Sequence, residues 1–186
     1  MSVRAIAREV GMNPASLYTY FASLDEIFTA LLLQSFERLA AAVTEAHTNS
    51  DGQPAIERGI ACAEAYRQWA LAHPAQFNLL FTDAIPEYVA PETGGTFEAQ
   101  LAIWLPFLTS IGDVIGLDHI TEMSTDPPPG ELTDEVFGLY GIMHGLVMLE
   151  INHHVPSNLD MGAVLRNQTR TALERMRDRT GQWTER

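Results

Sequence analysis

The side chains with chemical scope in this 186-residue chain fall into three groups. The first is His144 with the adjacent pair His153 and His154, and the single cysteine, Cys62. Neighbouring positions on a helix diverge by about a third of a turn, so His153 and His154 would not both face one ion. With no cysteine cluster and no His-Glu-x-x-His pair, no metal site is expected. Cys62 has no partner for a disulfide, which fits a reducing cytosol. No nucleophile–base pair and no phosphate-binding loop is found, so neither enzymatic activity nor a cofactor is expected. The second group is Trp69, Phe77, Phe81, Trp104, Phe107, Phe137, Tyr140, Met143 and His144. These sit on segments that must pack together. Aromatic and methionine side chains can line an adaptable pocket or simply fill a core, and the residues alone leave both open. His144 could serve a ligand or be satisfied by a backbone carbonyl. The third group is Ala15, Ser16, Tyr18, Thr19 and Tyr20, small or hydrogen-bonding residues on the outer face of one short helix.

The elements that position them are all helical. Ser2 to Val10 places Val3, Ile6, Ala7 and Val10 on one face, and Gly11 ends the helix. Asn13 caps a second helix that Pro14 opens and that runs to about Ala22, with Leu17 and Phe21 inward. This is the pattern of a helix-turn-helix, whose second helix enters the DNA major groove. Ser23-x-x-Glu26 is a capping box that starts a long helix to about Ala46, with Ile27, Phe28, Leu31, Leu32, Phe36, Leu39, Ala40 and Val43 apolar. Further helices are predicted over Ala55 to Ala72, Ala75 to Phe81, and Thr96 to Ile115 with Pro106 inside. Thr133 caps one that runs to about His154, and the last spans about Leu159 to Arg179. Two stretches, Ile85 to Gly95 and Gly116 to Gly130, read as loops. No strand pattern competes, so the fold class is all-α.

The segment SVRAIAREVGMNPASLYTYFASLDEIF resembles the DNA-binding segment of TetR-type transcriptional regulators. Ile6-Ala7, Gly11, Tyr18-x-x-Phe21 and Asp25-Glu26-Ile27 carry the likeness. YRQWALAHPAQFNLLF, Tyr66 to Phe81, resembles the equivalent part of many such proteins. FGLYGIMHGLVMLE, Phe137 to Glu150, looks like the C-terminal domain marked by a Trp-x-x-x-His-Gly signature, with Tyr140 in the Trp position before His144-Gly145. The family's first helix precedes Ser2, and this chain is expected to lack it; Leu24 replaces a basic residue common before the acidic pair. The resemblance implies that Ser16, Tyr18, Thr19 and Tyr20 approach phosphates and base edges, that Ala15 can touch a thymine methyl, and that Ser2 and Arg4 contact the backbone. It implies a cavity among the aromatic group and a homodimer through the last two helices, with Gly138, Gly141, Gly145, Ala163 and Ala172 allowing close approach. The expected division is a DNA-binding part with its connecting helix, 1–46, and a ligand-binding and dimerisation part, 47–186.

Charge divides the same way. The net charge is −13. Residues 1–24 carry Arg4 and Arg8 against Glu9, a local +1, and 9 Arg against 23 acidic residues leave −14 for the rest. Attraction to phosphates needs a local basic face, and an acidic body orients the docking end. No unbroken apolar run has the length of a membrane span, and the N-terminus has no signal-like pattern, so a cytoplasmic location without a membrane partner is expected. The leading expectation is a dimeric repressor released from a palindromic operator in double-stranded DNA by a small apolar effector. The alternative is a helical ligand-binding or protein-interaction module that has lost DNA binding.

Overall fold

The computed structural model describes residues 7, 11, 13–81, 88, 95–116 and 130–180. The predicted first helix lies outside these except for Ala7, and so do Ser2, Arg4 and most of the two predicted loops. Every regular element among the described residues is a helix. Helix α1 is Pro14–Tyr20, and Asn13 starts it: its side-chain oxygen accepts the Ala15 N–H at 2.9 Å and its carbonyl the Ser16 N–H at 2.9 Å. Gly11, with φ +68°, makes the turn before it. Helix α2 is Leu24–Asn49. Ser23 Oγ accepts the Glu26 N–H at 3.1 Å, and Glu26 reaches back to the Ala22 N–H at 2.7 Å, one residue ahead of the reciprocal bond of a strict capping box.

The body follows as α3 (Ala55–Ala72), α4 (Pro74–Phe81), α5 (Thr96–Ile115), α6 (Gly130–Ile151) and α7 (Met161–Asp178). Helix α2 packs along α3 and α5, α3 packs on α5 and α7, and α6 packs on α7. By length and composition α2 could cross a membrane, with an 18-residue window of mean hydropathy 1.3. Its apolar stripe is instead placed against protein: Phe28, Phe36, Leu39, Ala40 and Val43 are buried, while Glu37, Arg38 and Glu45 are exposed. Among the described residues two apolar clusters form. A small one joins Ala7 and Ile27 with Phe21 and Leu24 packed around them. The large one fills the body.

Several boundaries and faces differ from the sequence expectation. Helix α6 starts at Gly130, ahead of Thr133, and stops at Ile151 because His153 turns left-handed with φ +57°. The His154 N–H then bonds the Leu149 carbonyl and the His153 N–H the Glu150 carbonyl, a Schellman ending without glycine. The inner face of α6 is Glu135, Leu139, Met143 and Val147, so Phe137 is turned outward. On α5 the buried stripe runs Ala99, Ile103, Phe107, Ile111 and Ile115, and Leu105 is exposed; Leu31 of α2 is exposed too. Helices rich in apolar residues all round do not announce which side faces in.

Ion pairs line the seams between helices. Arg67 grips Glu150 bidentately at 2.7 and 2.5 Å, and Arg170 holds Glu57 at 2.7 and 3.1 Å. Glu135 is buried and accepts from Arg175 at 2.5 Å and Arg179 at 2.7 Å. The basic end of α7 thus serves a buried carboxylate on α6 as well as its own dipole. Replacing both Arg175 and Arg179 by Ala leaves that carboxylate buried without its cations and should cost about 3 kcal/mol in urea unfolding. His153→Gly relieves the left-handed strain and should raise stability by about 1 kcal/mol in the same assay.

Candidate functional site

At the N-terminal end, Ala15, Ser16, Tyr18, Thr19 and Tyr20 are all exposed on α1. Tyr20 is 73% and Tyr18 50% exposed, unusual for large rings and suited to contact with another surface. Thr19 Oγ1 donates to the Ala15 carbonyl at 3.1 Å, which leaves its lone pairs available. No guanidinium or ammonium lies on this helix, so its recognition chemistry rests on hydroxyls and ring faces.

In the body, aromatic rings from four helices converge on one hydrogen bond. Tyr66 of α3 and His144 of α6 meet through Tyr66 Oη and His144 Nδ1 at 2.9 Å. Burial holds the Tyr66 hydroxyl well above its ordinary pKa and lowers that of His144. Both groups are therefore neutral near pH 7. The arrangement that gives the phenol proton an acceptor has Tyr66 donating to Nδ1 and the imidazole proton on Nε2. Phe77 stacks on His144 at a centroid distance of 5.6 Å, and Phe81 meets it edge-on at 5.0 Å. Trp104 of α5 lies 4.4 Å from Tyr140, which lies 5.4 Å from His144. Phe107 joins through Trp104, and Met143 is buried on the same helix as His144. The cluster is apolar apart from hydroxyls, an indole and an imidazole, so it disfavours a bare charge.

Seven of the nine sequence-predicted body residues belong to this neighbourhood: Phe77, Phe81, Trp104, Phe107, Tyr140, Met143 and His144. Trp69 is buried but its ring pairs with His73 at 5.0 Å, and Phe137 is 65% exposed. Two participants were not foreseen as site residues. Tyr66 is fully buried, a buried tyrosine needs a polar partner, and His144 is the one supplied. Phe36 of α2 touches Phe81 edge-on at 6.1 Å and so connects the long helix to the cluster. Cys62 is buried, and burial pushes its thiol up to about 12, which makes it inert. His153 and His154 are exposed beyond α6, apart from His144.

Among the described residues, a short exposed helix followed by one long helix into a helical body is the arrangement expected of a helix-turn-helix regulator. Comparison with known proteins agrees. Residues 1–31 match the family described as bacterial regulatory proteins, tetR family, and residues 60–172 match the tetracyclin repressor-like C-terminal domain. The chain belongs to the TetR family of bacterial transcriptional regulators. It is 29% identical over 189 residues to the HTH-type transcriptional regulators Mb1846 of Mycobacterium bovis and Rv1816 of Mycobacterium tuberculosis, covering 91% of this chain and 81% of each relative. Its fold is similar to that of the regulatory protein SCO4313, with TM-score 0.74 and 22% identity over 93% of this chain and 85% of that one. PfmR, a TetR family transcriptional regulator from Thermus thermophilus, has the same fold, with TM-score 0.66 and 16% identity over 94% and 88% of the two chains.

The lowered pKa of His144 sets a pH dependence. The unfolded chain takes up this proton near the ordinary histidine value of 6.5, while the folded chain resists it. The stabilisation is whole above that pH and is lost as pH falls below it. His47, lowered mainly by burial and also by Arg58, acts in the same direction. Urea unfolding from pH 7.5 to about 5.5 should show falling stability, with a shallower fall in His144→Gln. Tyr66→Phe keeps the ring contacts and should cost about 1 kcal/mol.

Proposed function

We propose that the chain is a ligand-responsive repressor, in which residues 1–46 read DNA and residues 47–186 bind an effector and form the dimer. One observation carries the reading: α2 contributes Ile27 to the cluster with Ala7 and Phe21 at the N-terminal end, and Phe36 to the aromatic neighbourhood of Phe81 and His144. A rigid helix shared by two cores transmits a shift in one to the other. A small, largely apolar molecule accommodated among Tyr66, Phe77, Phe81, Trp104, Tyr140 and His144 would displace Phe36 and with it α2. The effector needs only unequal affinity for the two positions of α2, and a coupling of about 1–3 kcal/mol is usual. DNA contact falls to Ala15, Ser16, Tyr18, Thr19 and Tyr20, with Ser2 and Arg4 on the backbone.

The dimer is proposed to form through α6 and α7. Phe137, Gly141, Gly145 and Leu149 recur every four residues on α6 and so share one face. Phe137 is 65% and Leu149 43% exposed, and a Cβ added at Gly138, Gly141 or Gly145 would meet nothing within 4 Å. Such a face lets a second helix approach closely. Ala172, by contrast, is buried within the chain. Two copies give the two reading helices that a palindromic operator in cytoplasmic DNA requires.

Fluorescence anisotropy with a labelled duplex from the chain's own upstream region tests the reading. Binding should weaken linearly on a log–log plot as salt rises, and Tyr18→Ala or Tyr20→Ala should lose about tenfold, the equivalent of one contact. Salt-independent or absent binding would contradict it. Gly141→Glu should yield a monomer in sedimentation velocity with the helical content of the parent; a dimer that survives this change places the interface elsewhere.

A further inference from the structure

Tyr88 lies in the sequence between α4 and α5, and it touches α2 at the turn where that helix leaves the reading end. Its hydroxyl shares a hydrogen bond with Thr29 Oγ1 at 2.9 Å, and its ring meets Phe28 edge-on, centroids 6.1 Å apart at 70°. Phe28 is buried and directly follows Ile27, the α2 residue in the small core with Ala7. At Gly95, just before α5, an added Cβ would come within 3.7 Å of Leu33, one turn beyond Thr29. Tyr88 and Gly95 therefore lie beside α2 on consecutive turns.

We infer that Tyr88 is a positioning residue for the DNA-reading end, a latch that fixes the direction in which α2 leaves the small core. It holds α2 at a place separate from the contact between Phe36 and Phe81. Among the described residues the small core gathers Ala7, Ile27, Phe21 and Leu24. The latch supplies a directional hydrogen bond and an aromatic contact where that core ends. The role in DNA binding rests on the regulator reading, whereas the hold on α2 does not.

The test uses the full chain and three variants: Tyr88→Phe, which keeps the ring, Thr29→Val, and both together. Hydrogen exchange should rise in residues 24–33 of each variant and stay at the parental level in α3 and α7. Affinity for the upstream duplex should fall about threefold to tenfold in each single variant, with no further loss in the double, because one bond is shared. Parental exchange over 24–33 in Tyr88→Phe overturns the latch, and so does a rise spread equally over α3 and α7, which marks a general loss of stability. A parent chain that fails to bind DNA overturns the regulator reading instead, and the exchange result still decides the latch.

Discussion

The structure depends on α2 belonging to two cores at once. Its first turns complete the small cluster around Ala7, and its middle, from Phe36 to Val43, is buried in the body. A helix of 26 residues extends about 39 Å, so its ends report on each other only if it stays straight and is gripped at both places. Burial of Phe28, Phe36, Leu39 and Val43 along one face provides that grip. The apolar character of α2 is thus a consequence of shared packing.

Around this helix the body separates its polar and apolar interactions. The rings between α3, α4, α5 and α6 surround the neutral Tyr66–His144 bond. The charged groups pair on the seams: Glu57 with Arg170, Glu64 with Arg166, Arg67 with Glu150, and Glu135 with Arg175 and Arg179. The more exposed of these, Glu57 with Arg170 and Glu64 with Arg166, contribute little energy each, but they fix which helix faces which. Arg67 and Glu150 are part-buried, and the burial of Glu135 makes its two arginines necessary. A chain without lysine makes all of these pairs with guanidinium, which allows the bidentate geometry seen at Glu57 and Glu150.

Much of this was legible in the sequence because the signals are local. Asn13 and Ser23 cap the helices they were expected to cap, and Gly11 makes the turn ahead of the first. The exposed set on α1 followed from its period alone. What was not legible is rotational and long-range. Helix α6 carries apolar residues on every side, so Phe137 and Leu139 could not be assigned by period, and the inward Glu135 becomes sensible only once Arg175 and Arg179 are beside it. The left-handed His153 carries no sequence mark, since glycine is the usual residue there. The Tyr66–His144 bond joins residues 78 positions apart, and no local pattern announces it.

The central claim is that packing around Phe81 governs where α2 holds the reading helix. Pulsed electron paramagnetic resonance on the dimer, with spin labels at Ser16→Cys, measures this directly. Ser16 is exposed, and the buried Cys62 will not take the label. The parent bound to DNA should give a narrow distribution near the 34–36 Å or so that separates successive major-groove half-sites, roughly one helical turn. In Phe81→Leu, free of DNA, the distribution should shift or broaden relative to the free parent. Identical free distributions in parent and variant, with unchanged helical content, would contradict the account.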